Sequence, residues 1–206
     1  MTDEGDTDDS SGMRELGRDL ASQDRLVEAE SALLRAIAHG DRDVATAAMI
    51  DLGDLYLRLD RLADAREVLE RAAASESVEL SMLAAIDLGH VVGAQEQFAE
   101  AEALYRRASD SESPETAAEA LRSLGMLLIL QERLDEAEST YRRLIALGPT
   151  EHTPLAWLAV GMVLATRAEQ LDEAEAAYRR AIEEGSPEVA YGAFEALDDL
   201  RASREE

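Results

Sequence analysis

His90 is the one histidine in this chain with a set of carboxylates at a fixed spacing. Asp87 precedes it by three residues, and Asp51 and Asp54 stand thirty-six residues before that pair. A His among Asp side chains can hold a divalent metal or act as an acid–base pair. The pattern offers neither a second His nor a nucleophile beside a base. A solvated polar patch is therefore the leading expectation, and a metal-binding or enzymatic site around His90 is a distant alternative. His39 ends a helical segment just before Gly40, where a cation suits the helix dipole, and His152 lies in a loop before Pro154. Both read as structural. The chain has no Cys, which removes disulfides, thiolate metal sites and cysteine nucleophiles. The expectation is a protein that is no enzyme and carries neither metal nor cofactor.

Composition narrows the partners. The 206 residues carry 45 acidic against 20 basic side chains, a net charge of −25, and every basic one is Arg. Such a field repels phosphate backbones and anionic leaflets, so neither nucleic acid nor membrane is expected as a partner. The lysine-free balance fits a GC-rich genome or adaptation to high salt. MTDEGDTDDSSG at the N-terminus has no basic or apolar segment of the kind that opens a secretion signal, and a cytoplasmic location is expected.

The elements that would position these groups repeat. Gly17, Gly53, Gly89, Gly125 and Gly161 are each thirty-six residues apart, four of them after Leu and the fifth after Val160. Twelve residues on comes Ala29, Ala65, Ala101 or Ala137, with Ala174 one place later. Four beyond lies a larger residue: Leu33, Leu69, Tyr105, Tyr141 or Tyr178. Spacings of four and three share a helical face, and the stretch between Gly and Ala is polar and turn-forming. Each unit thus reads as a helix, a turn and an antiparallel second helix. Gly inside a helix costs about 1 kcal/mol relative to Ala, so five in one register predict that the Gly and the following Ala mark a close helix–helix approach. No segment shows the alternation of a strand, and the fold class is all-α.

These residues resemble the tetratricopeptide repeat family over about residues 12 to 187. Repeat two carries Leu52-Gly53, Tyr56, Ala65, Leu69 and Ala72, and repeat five carries Trp157, Gly161, Ala174, Tyr178, Ala181 and Pro187. The period is two residues longer than the family's usual thirty-four, and the family Tyr is mostly aliphatic here. The resemblance implies a right-handed α-solenoid of helix-turn-helix repeats with a C-terminal capping helix. Residues 1–11 are expected to be a disordered acidic tail. Five repeats follow at about 12–42, 43–78, 79–114, 115–150 and 151–187, and a solvating capping helix and tail fill 188–206.

It further implies a concave groove lined by the first helices, with Ile50, Asp54, Leu57, Ile86, His90, Arg122, Met126, Ile129, Leu158 and Met162 facing a partner. That partner would be another protein, offering an apolar or basic peptide or helix segment to a non-enzymatic, chaperone-like scaffold. Flexible thioethers suit such a groove. A homodimer through the groove or the end cap is the alternative from another class.

Overall fold

Ala, Leu, Glu and Arg lose little on entering a helix, and the computed structural model follows that preference. It describes residues 4–204. Among the described residues every regular element is helical: α1 (Glu4–Ser22), α2 (Leu26–His39), α3 (Arg42–Arg58), α4 (Leu62–Ala73), α5 (Val78–Ala94), α6 (Phe98–Ala108), α7 (Pro114–Leu130), α8 (Leu134–Ala146), α9 (Thr153–Ala165), α10 (Leu171–Glu184) and α11 (Pro187–Ala202), with a short 3-10 turn at Ala168–Gln170. The chain divides into two compact units. Unit 1, Met1–Ala108, holds the pairs α1/α2, α3/α4 and α5/α6. Unit 2, Ser109–Glu206, holds α7/α8, α9/α10 and the unpaired α11.

Each regularly spaced glycine is a hole for a knob. A Cβ built on Gly17 would come within 2.7 Å of the Leu33 side chain, and on Gly53 within 2.5 Å of Leu69. The same atom would meet Tyr105 from Gly89 and Tyr141 from Gly125 at 2.5 Å, and Tyr178 from Gly161 at 2.6 Å. The sequence expectation needs a correction here. The large residue four places after the Ala, rather than the Ala itself, fills the space that the missing side chain leaves. Those knobs and the Ala residues are all buried, so each pair closes a layer of core.

The turns inside the pairs share a device. Asp24, Asp60, Glu96 and Glu132, each seven residues after its glycine, have φ between 57° and 61°. The next residue's N–H closes back five positions, as in Arg61 N to Tyr56 O (2.8 Å) and Arg133 N to Leu128 O (2.9 Å). This is a Schellman ending with Asp or Glu where Gly is usual, a left-handed conformation that costs about 1–2 kcal/mol in a residue with a Cβ. The fifth turn escapes it. Its one extra residue lets the chain leave through the 3-10 turn, and Ala168 keeps a negative φ.

The chain ends differ from expectation. The tail expected over residues 1–11 is helical from Glu4 onward, and residues 1–3 lie outside the described residues. Ser10 is buried, and its hydroxyl donates to the His39 carbonyl at 3.2 Å. At the other end α11 forms as expected, N-capped by the Ser186 hydroxyl, which accepts from Val189 N at 3.4 Å. It buries Ala193, Leu197 and Leu200 but leaves Tyr191 and Phe194 exposed, so it is not simply a polar cap. Residues 205–206 of the expected tail lie outside the described residues.

Candidate functional site

The first helix of a pair packs its glycine face on its own second helix. The residue immediately after each glycine is turned away from that contact. It is exposed in Arg18, Asp54, Met126 and Met162, and half-buried in His90. The chemistry of this face differs between the two units.

In unit 1 it is ionic. Arg14 Nε lies 2.5 Å from Asp51 Oδ2, and Arg18 Nε approaches Asp51 Oδ1 at 4.0 Å. Arg58 donates to the Ala21 carbonyl at 3.3 Å. Together with Ile50, Asp54 and Asp87, Arg18, Asp51 and Arg58 line an open cavity of about 370 Å³. His90 Nδ1 is 3.8 Å from Asp87 Oδ1, and the His90 ring tilts against Tyr105 at 5.6 Å between centroids. Among the described residues no group of three or more His, Asp or Glu side chains is placed to hold a metal.

Of the groove residues expected here, Ile50 and Asp54 come together in that cavity, and Leu57 is half-buried outside it. Ile86 is a correction. It is 2% exposed and part of the core, because α5 is packed on by α3, α4 and α6. Asp51 and Arg58 were missing from the expected lining. Their signal was a charged residue one place after each of the expected positions Ile50 and Leu57.

In unit 2 the face is apolar. Met126 is 52% and Met162 54% exposed. Arg122 Nη1 donates to Met126 Sδ at 3.3 Å, which sets a guanidinium beside the thioether. Ile129 and Leu158 are half-buried against the core. Leu158 faces α11, where a Cβ on Gly192 would find it at 3.8 Å. Met162, Ala165, Tyr178, Ala196 and Leu200 line a cavity of about 360 Å³ on this side. A second cavity of about 440 Å³ has Trp157, Val160 and Leu164 in its lining, with Arg142 and Arg180. The Arg180 guanidinium lies 5.9 Å from the centre of the Trp157 ring, a cation–π contact.

Burial governs the ionisation of the tyrosines. Desolvation pushes the Tyr141 phenol up to about 12, against a slight lowering by Arg122. Desolvation also raises Tyr56 to about 12, helped by its 2.8 Å bond to the Glu30 carboxylate.

Antiparallel helix pairs recurring at a fixed interval define a helical-repeat protein. The tetratricopeptide repeat profile matches residues 14–78 and 86–152, more than half of the sequence, and the chain belongs to that family. Proteins of the family generally mediate protein–protein interactions and are typically non-enzymatic scaffolds. Among solved structures, pilF of Pseudomonas aeruginosa is 16% identical, with a TM-score of 0.75 over 96% of this chain and 90% of its own. PilW, a type IV pilus biogenesis factor, is 18% identical, with a TM-score of 0.67 over 94% and 91%. YrrB, a TPR protein with an unusual peptide-binding site, is 24% identical, with a TM-score of 0.58 over 89% and 90%. At these identities the likeness concerns the fold. Comparison with curated proteins returned no match.

Proposed function

We propose that this protein is a scaffold that holds a peptide or amphipathic helix of another protein against the first-helix face of unit 2. One observation carries the reading: Met126 and Met162, in the same register of consecutive pairs, are both more than half exposed. An exposed thioether loses apolar burial, worth about 25 cal/mol per Å², that a core position would give it. A partner's apolar stripe recovers that area, and the unbranched side chain adapts to it. The peptide-binding site of YrrB, which has the same fold, supports a peptide as the occupant. Shielding an apolar client segment, as a chaperone does, uses the same contact.

The experiment is affinity capture from lysate with the wild type beside Met126→Glu and Met162→Glu. Partners held by the wild type should be lost by both variants. Equal recovery by all three proteins would rule the proposal out.

A further inference from the structure

α11 occupies the place of a first helix, yet no second helix covers it among the described residues. In the complete pairs, the glycine and the residue seven before it face the pair's own second helix. Gly125 meets Tyr141, and Thr46 Oγ1 lies 3.5 Å from Ser75 Oγ at the end of α4. The corresponding places in α11 are Asp198 and Tyr191, with Phe194 on the same face. Tyr191 is 64% exposed and Phe194 59%, while every other aromatic side chain is buried or half-buried.

The charges on this open face are of one sign. Glu188, Glu195 and Asp198 flank the two rings. The nearby cations are turned inward to α10. Arg201 Nη2 bonds Glu175 at 2.7 Å, and Arg204 Nη2 bonds Asp172 at 3.0 Å.

We propose that the open face of α11 docks a basic amphipathic helix of another protein, with an apolar stripe over Tyr191 and Phe194 and Lys or Arg against Glu188, Glu195 and Asp198. Exposed aromatics rimmed by charge are the usual anatomy of a contact patch. Two other occupants fit less well.

The first is a second helix from another copy, swapped into the vacant place. Such a helix brings a Leu or Tyr knob, and at the five glycines an added Cβ alone would lie 2.5–2.7 Å from that knob. Asp198 carries the Cβ and a carboxylate, so the knob cannot seat. The second is α11 of another copy, which would set the acidic faces against each other in a contact that excludes water. A Lys opposite Asp198 turns the obstacle into an ion pair.

The test uses two labelled synthetic helices of about four turns. One has Leu along one face and Lys beside it, and its twin has Glu in place of each Lys. Fluorescence anisotropy is followed as the full chain is added. The Lys helix should bind and the Glu helix should not. Tyr191→Ala with Phe194→Ala should weaken binding at least about tenfold, as truncating central anchors does. Asp198→Lys should weaken it as well. Circular dichroism checks that each variant is folded.

The proposal is overturned if the wild type does not bind the Lys helix, or if the double variant binds it equally. It is also overturned if Met162→Glu abolishes binding, which would move the contact to the unit 2 first-helix face. Sedimentation that shows a wild-type dimer lost on Tyr191→Ala would assign the face to a second copy instead.

Discussion

At the position just after the repeat glycine, unit 1 presents Arg18, Asp54 and His90, and unit 2 presents Met126 and Met162. The backbone scheme is the same, and in both a side chain of the second helix fills each glycine. The outward residue changes. Unit 1 satisfies its own face, since Arg14 and Arg18 close on Asp51. Unit 2 leaves apolar area in water. In a repeat protein the inward positions maintain the stack, while the outward positions are free to differ from one pair to the next.

The units also differ in their knobs: Leu33 and Leu69 lead in unit 1, and Tyr141 and Tyr178 in unit 2. A leucine can change rotamer, and a packed tyrosine ring cannot. Gly125→Ala should therefore cost about 3 kcal/mol, the upper end for overpacking, and Gly17→Ala about 1 kcal/mol. Urea denaturation of the two variants checks this, and equal losses would erase the distinction.

Alkaline pH tests whether the units share anything at their tyrosines. Tyr56 in unit 1 and Tyr141 in unit 2 are both raised from 10.0 to about 12. The unfolded chain gives up these protons first, so their contribution is complete below pH 10 and is lost as pH rises toward 12. Thermal melts across that window should fall for the wild type and fall less steeply for Tyr141→Phe. A variant slope matching the wild type would assign the alkaline loss elsewhere.

Asp51→Ala should cost about 1 kcal/mol, because it removes a half-exposed ion pair, and the difference should shrink in high salt. Met162→Ser in unit 2 should stay within about 0.5 kcal/mol of the wild type. Melts at two ionic strengths would expose any hidden structural role of Met162. The last effect is a gain. Gly93 is intrahelical, and the nearest atom to its missing Cβ is 3.8 Å away at Ala101. Gly93→Ala should therefore add up to about 1 kcal/mol, and a loss would mean that its neighbourhood is tighter than that of an ordinary helix site.

Much of this was legible in the residues. The glycine period fixed the pairing of helices because a helical Gly is costly and needs a neighbour to justify it. The inserted residue before Ala174 marked the odd turn. Other features were hidden for physical reasons. Asp24, Asp60, Glu96 and Glu132 are not residue types that announce a left-handed turn. Ile50 and Ile86 share one register, yet Ile86 is sealed in the core and Ile50 is only half-buried. That difference depends on neighbours, which a periodicity does not contain.

The sequence by itself determined the helix pairs, their register, the family and the change from ionic to apolar residues after the glycines. Those are set by local spacing and side-chain type. Only the tertiary structure decided that the knob, and not the Ala, fills each glycine, and that α1 runs back to Glu4. It alone left Tyr191 and Phe194 uncovered on α11. Which atoms fill a space, and which faces stay in water, is decided by contacts between residues far apart in the chain.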